Sequence, residues 1–269
     1  MKLNPILIFI CLLYLQVFCI NTSAFAQVET NFYDDENTRI KERYETKEGQ
    51  AHGFYRFYDP FGNLTQTGQF KEGKKSGTFV ELHPETGDTL KITPYEEDQV
   101  QGKVTSFYPS GKVAQHAQFQ AGNLQGTLES FYESGEIQGR VAFQNGKPHG
   151  IQETFYLDGQ LREVKHFDGG VPEGIHREYA ENGQLLTEKN FREGQLEGLY
   201  TSYHRSGQKA SEVSYKRGIK HGEFVTFHEN GAVASRGNYR KGLRHGTLTT
   251  FDETGKVIKK VTYKRGVLQ

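Results

Sequence analysis

The chain has 269 residues with 33 basic and 33 acidic side chains, so its formal charge is zero, and only 35% of its residues are apolar. Aromatic residues nonetheless reach 13%, with 15 Tyr, 19 Phe, one Met and no Trp. This mixture excludes a thick aliphatic core and points to a thin structure held by a few regularly placed rings.

The N-terminal segment reads separately from the rest. Lys2 gives a short positive start, the apolar run "PILIFICLLYLQVFCI" follows, and a polar "NTS" leads into "AFA" at residues 24–26. Charge, apolar core and a small-x-small ending are the signature of a secretory signal peptide, with cleavage after Ala26. The chain is therefore expected to be exported, to the periplasm or outside the cell. The alternative is an anchor formed by an uncleaved segment, although the run is marginal for spanning a bilayer. Phe18 before Cys19 argues against a lipid-modified cysteine. Cys11 and Cys19 both lie in this leader. The mature chain would then lack disulfides, thiolate metal sites and cysteine nucleophiles.

Residues 27–52 have the composition of the units that follow but not their spacing: "YETKEGQAHG" ends like a unit, while Tyr44 sits two places early. They are expected to form a short tail and an N-terminal cap.

From Gly53 onward the chain is periodic. Glycines recur at Gly53, Gly77, Gly102, Gly126, Gly150, Gly174, Gly198, Gly222 and Gly246, in steps of 24 with a single step of 25. With each of these glycines taken as position 0, a ring stands at position 5 (Tyr58, Phe107, Phe131, Phe155, Tyr179, Tyr203, Phe227, Phe251), broken only by Leu82. A second ring stands at position 17, as in Phe70, Phe119, Phe143, Phe167, Phe191, Tyr215, Tyr239 and Tyr263. Further glycines occupy position 9 (Gly62, Gly111, Gly135, Gly159, Gly183, Gly207, Gly231, Gly255) and position 20, where the second unit has Asp98 instead.

Each unit reads as two strands and two turns. "FYPSG", "FYESG" and "FHENG" place Gly after Ser or Asn directly behind an aromatic, a turn signal whose last residue takes positive φ. "FREG", "YKRG" and "YRKG" repeat the device at the other edge. Between them, period-two patterns such as Val257, Val261 and Tyr263 describe half-buried antiparallel strands. The expected fold is all-β: an elongated meander of about nine 24-residue hairpins, about 18 strands, in one twisted solenoid-like sheet over residues 53–269.

The pattern G-x4-[FY]-[FYH]-x2-G-x-[LVI]-x5-[FY]-x2-G-x2-[HQE]-G resembles MORN repeats. More narrowly, "GEFVTFHENGAVASRGNYRKGLRHG" is similar to the bacterial variant form described as antitoxin-type. The resemblance covers residues 53–269. It implies a β-hairpin repeat that acts as a protein-interaction scaffold, with membrane-lipid contact as a further implied role, and an antitoxin or immunity function as another.

Catalytic chemistry finds no support. His52, His149, His221 and His245 precede start glycines; His221 and His245, expected as neighbours on the stacked edge, could hold a metal or sense pH, or these histidines could cap turns and pack at the edge. Units with Ser76, Gln101, Gln125, Glu173 and Glu197 at that place break any histidine ladder. Paired carboxylates such as those in "YEED" have no predicted cleft to face. No G-x-S-x-G elbow or phosphate-cradling loop before a helix is present. No catalytic residue, metal site or cofactor is expected, and the chain reads as no enzyme.

Two surfaces are candidates for a partner. Charge is split: residues 27–198 hold 18 Lys/Arg and 28 Asp/Glu, net −10, while residues 199–269 hold 14 and 5, net +9. Arg217, Lys220, Arg240, Lys241, Arg244, Lys264 and Arg265 recur at corresponding turns of the last three units and are expected to line one edge. A charged end that blocks further strand pairing is the structural alternative. The second surface is Tyr108, Tyr132 and Tyr156, each directly after a position-5 ring and so expected on the opposite face as an exposed ladder. A protein partner is the leading expectation. Anionic membrane or polysaccharide is the alternative, and specific nucleic-acid binding is not expected.

Overall fold

The computed structural model describes residues 26–269. The leader reading of residues 1–26 lies outside them, Ala26 excepted. All the secondary structure described is β: 24 strand segments in a single antiparallel sheet. Each full strand pairs with the full strands that precede and follow it in the chain, from the first pair, Gln27–Phe32 with Ile40–Lys47, to the last full strand, Val257–Lys264.

The segment count exceeds the expected 18 for identifiable reasons. The strand entering a unit is interrupted at Ser76, Gln101 and Glu173, which splits off two-residue pieces at Lys74–Lys75, Gln99–Val100 and Val171–Pro172. A further short piece, Val267–Leu268, follows the last unit, and the segment before Gly53 supplies two strands.

Those two strands correct the expectation of a tail. Gln27–Phe32 and Ile40–Lys47 form a hairpin paired in register with the first unit. Thr46 faces Ala51 at the place where later units set a position-17 ring against position 22, as in Phe119 against Leu124. Tyr44 faces Tyr55 two residues earlier, which explains its early spacing. The segment is a divergent unit with a wider turn, in which Tyr33 N–H reaches Arg39 C=O. Asp34 holds that turn by accepting from Thr38 N–H, Thr38 Oγ1–H and the Arg39 backbone N–H and guanidinium. These bonds, that from Thr38 N–H foremost, lower its pKa to about 2.

The two edges of the sheet carry different turns. At one, Gly111 N–H closes on Tyr108 C=O and Tyr108 N–H on Lys112 C=O, and Gly111 takes φ +81°, a value costly for any residue with a Cβ. At the other, two residues such as Ala121 (φ +47°) and Gly122 (φ +75°) both lie in the left-handed region, the signature of a type I′ hairpin turn. The first of these two residues is rarely glycine: Glu72, Asn145, Glu193, Arg217, Lys241 and Arg265 all adopt positive φ there. Asp98 takes the glycine place in the second unit at φ +67°, and its carboxylate accepts from Lys75 N–H at 2.7 Å. Asp is among the few residues with a Cβ that adopt this conformation, and here its carboxylate is held by the neighbouring turn. The start glycines are not turn residues. Gly126 sits where the pairing slips between Ala117–Leu128 and Phe119–Leu124, a bulge inside the strand.

Strand alternation places the two ring series on opposite faces. One face holds positions 2, 15, 17 and 22, and its rings meet in a continuous run at the N-terminal end. Tyr55–Phe70 centroids are 5.3 Å apart, Phe70–Phe79 5.8 Å and Phe79–Tyr95 5.1 Å. Phe79 is 2% exposed, and Val104, Ala117 and Phe224 are the other buried apolar residues of this face. Size is matched across it: a Cβ on Gly68 would come within 2.5 Å of the Phe79 ring, and one on Gly237 within 2.8 Å of the Phe224 ring. The other face carries the position-5 rings under polar partners, with His116 against Phe131 at 5.4 Å and Arg140 over Phe155 at 5.5 Å. Ion pairs such as Arg177–Glu188 at 2.7 Å cross it.

Candidate functional site

The candidate surfaces are built on hydrogen bonds that join one unit to the next. On the first edge, Tyr108 Oη–H donates to Phe131 C=O at 2.7 Å, Tyr132 to Phe155 C=O at 2.8 Å and Tyr156 to Tyr179 C=O at 2.8 Å. His204 and His228 make the same bond through Nε2 to Phe227 and Phe251 C=O, and Tyr33 makes it to Tyr58 C=O. The three tyrosines thus form a ladder, but not the exposed one expected. They are half-buried and their hydroxyls are engaged. The alternation argument fails here because these residues sit at the start of the turn, where the strand pleat has ended.

On the second edge the bonds run the other way. Gly122 N–H donates to Val100 C=O, Gly146 to Leu124, Gly170 to Pro148, Gly194 to Pro172, Gly218 to Leu196, Gly242 to Lys220 and Gly266 to Arg244, all at 2.7–3.0 Å. In four units the residue before the start glycine reinforces this stitch. Gln101 Oε1 accepts from Ala121 N–H, Gln125 Oε1 from Asn145 N–H, Glu173 from Glu193 N–H and Glu197 from Arg217 N–H, at 2.7–2.8 Å. The capping reading of this position therefore holds for these units. The sequence contains the signal, a Gln, Glu or His before glycine, but its partner lies 20 residues downstream.

The seven basic residues are not equivalent. Arg217, Lys241 and Arg265 are the left-handed residues at three successive turn tips, and Arg240 and Lys264 stand just before the last two. All five are exposed. With Leu243 and His245, the last four of these, Arg240, Lys241, Lys264 and Arg265, line a groove between the two final turns. Lys220 and Arg244 instead lie on the ring face over Tyr239 (5.2 Å) and Tyr263 (5.6 Å). The capping position changes from Glu173 and Glu197 to His221 and His245 beneath the last two basic tips, which removes a carboxylate from each.

A third surface was not anticipated. Position 1 is aliphatic and exposed in three successive units, with Ile151 at 49%, Ile175 at 41% and Leu199 at 48%. They share the polar face, one every second strand, at a spacing of roughly 9.5 Å. Period alone does not reveal this row, because position 1 is polar in the other late units (Glu223, Thr247).

One histidine lies in the ring run. His176 takes position 2, is 3% exposed, and sits between Phe167 (5.9 Å) and Phe191 (4.4 Å) with Nε2 at 3.0 Å from His166 C=O. Burial lowers its pKa. The unfolded chain therefore binds the proton first as pH falls, so stability is full above about 6.5 and declines below it. His176→Phe, which restores the residue type of Phe79 and Phe224, is expected to flatten this decline; urea unfolding at pH 7.5 and 5.5 reads it. Among the described residues no group of three or more His, Asp or Glu side chains is placed to hold a metal ion.

Fold and surfaces together define an open, single-layer β-meander repeat protein that presents side chains at fixed intervals. The chain belongs to the MORN repeat variant family, whose model matches residues 100–121, 124–145, 148–168, 172–193, 196–217, 220–241 and 244–265. The two units before residue 100 lie outside the match but continue the same pairing in the same sheet. No curated protein matches the chain. Among solved structures it is similar to the crystal structure of TcdB2-TccC3-Cdc42 (10% identity, TM-score 0.22, covering 88% of this chain and 14% of that one). It is also similar to a Photorhabdus luminescens Tc holotoxin pore (11% identity, TM-score 0.21, 91% and 15%). The chain spans about one seventh of the length of each. A repeat scaffold for protein or membrane binding is the role this family membership indicates.

Proposed function

We propose that the chain is an exported, non-enzymatic scaffold that binds a protein partner in the cell envelope. The row Ile151, Ile175 and Leu199 carries this reading. Three aliphatic side chains held exposed at equal spacing on a stitched sheet suit burial against another protein. The leader-like residues 1–26 support export. An immunity-type role is a special case of the same scaffold, with a secreted effector as its partner.

A second reading has its own observation, the basic tips Arg217, Lys241 and Arg265 with the groove beside them. Such an edge suits anionic lipid or an anionic wall polymer. One experiment separates the two. Wild type, Ile151→Ser/Ile175→Ser/Leu199→Ser and Arg217→Glu/Lys241→Glu/Arg265→Glu are compared in affinity capture from an envelope fraction and in co-sedimentation with anionic vesicles. The scaffold reading requires the serine variant to lose its protein partner and the glutamate variant to keep it. Vesicle binding that is lost in the glutamate variant and weakens steeply with salt, with capture unaltered by the serines, would replace it with the lipid reading.

A further inference from the structure

Three units use one device on the ring face. The position-22 side chain is a cation laid over rings of the next unit: Lys75 Nζ over Phe79 (4.9 Å) and Tyr95 (5.0 Å), Lys220 over Tyr239 (5.2 Å) and Arg244 over Tyr263 (5.6 Å). Other units fill the place with Leu124, Pro148, Pro172 or Leu196. Among the described residues, the N-terminal hairpin leaves it empty twice over. Its position-22 residue is Ala51, and the opposing ring place holds Thr46. The following rings, Tyr55 and Phe70, are in place but have nothing from position 22 above them. The result is a groove of about 600 Å³ lined by Tyr44, Thr46, Ala51, Tyr55 and Phe70, with Glu29, Glu42 and Glu72 around it.

We propose that this groove is a binding site for a lysine- or arginine-bearing extended segment of a partner polypeptide, whose cation takes the place over Tyr55 and Phe70 that Lys75 takes over Phe79 and Tyr95. Charge complementarity selects the occupant. Glu29, Glu42 and Glu72 give the groove carboxylates, and its one lining cation, Lys74, is 3.3 Å from Glu97. The neutral Tyr55 ring offers its electron-rich face, and burial, then the Glu42 charge, push its hydroxyl up to about 12. An aliphatic occupant would leave the carboxylates unanswered, and an acidic one would be repelled. The site stands apart from the aliphatic row and the basic tips, so it does not depend on either reading of those surfaces.

The test uses a fluorescein-labelled pentapeptide of alternating glycine and lysine, its glutamate counterpart, and anisotropy at two salt concentrations. The lysine peptide is expected to bind the purified protein and the glutamate peptide not to. Ala51→Lys supplies the chain's own cation on the pattern of Lys75, and Ala51→Leu fills the place on the pattern of Leu124. Each should weaken binding at least tenfold without loss of the β-sheet circular dichroism signal. Glu42→Gln should weaken it severalfold. Absence of lysine-peptide binding, equal binding of the glutamate peptide, or unchanged affinity in both Ala51 variants overturns the proposal. Self-association abolished by Ala51→Lys would assign the groove to a second copy of the chain and overturn the foreign segment.

Discussion

Phe79→Ala is expected to destabilise the protein by about 3–5 kcal/mol, the range for removing a fully buried aromatic side chain from a packed site. Phe79 is the one large side chain that is fully enclosed among the described residues. Its ring joins Tyr55 (6.0 Å), Phe70 (5.8 Å) and Tyr95 (5.1 Å), and Lys75 stacks on it at 4.9 Å. The cavity cannot close easily, because Gly68 beneath the ring has no side chain to move into it. A single-layer sheet has no second core to share the loss, so the effect should be local. Urea unfolding measures the total. Hydrogen exchange should show lost protection across residues 53–100 with protection retained beyond Gly198. Uniform loss along the chain would contradict nearest-neighbour stability. Phe79→Leu, the residue type of Leu128 and Leu248 at the same position, should recover part of the loss.

The second large effect belongs to the tyrosine ladder. Replacing Tyr108, Tyr132 and Tyr156 together by Phe removes three hydrogen bonds between units while keeping the rings. At about 1 kcal/mol for each bond, and more where the carbonyl is left without a partner, the triple variant should lose roughly 3 kcal/mol. The hydroxyls are engaged at 2.7–2.8 Å, so binding to a protein partner should be unaffected at temperatures where the variant is folded. Unchanged stability with lost binding would return these residues to the role of contact surface. A converse variant, His204→Tyr, should preserve the sheet, because both side chains place a donor against the next unit's carbonyl.

The period was readable because the most constrained places take few residue types. Positive φ confines positions 9 and 20 to Gly with few exceptions, and from Gly53 onward the ring places at positions 5 and 17 hold Phe or Tyr except at Leu82. What could not be read were relations between units. The bond from Glu197 to Arg217 N–H spans 20 residues and leaves no local pattern. Asp98 looked like a break in the repeat, yet it preserves the turn by accepting from Lys75 N–H. Tyr44 looked misplaced because Thr46, a buried polar residue, had taken the ring place. The aliphatic row depended on knowing which face and which depth position 1 occupies. The tyrosines were misplaced by alternation, which ceases to hold where a strand gives way to its turn.

The two edge stitches run in opposite senses: donors on the first edge reach forward along the chain, and donors on the second reach back. The backbone bond on the second edge recurs from unit to unit whatever the variable side chains, whereas the side-chain bond on the first edge is made by Tyr108, Tyr132, Tyr156, His204 and His228 and is missing where Asp59, His83 or Ala180 takes the place. A whole unit can be duplicated or deleted with the second-edge backbone bonds preserved. Length thereby becomes an adjustable quantity, altered in steps of roughly 9–10 Å, two strand spacings at a time. The molecule is a ruler as well as a surface. The number of units sets how far the acidic end stands from the basic end.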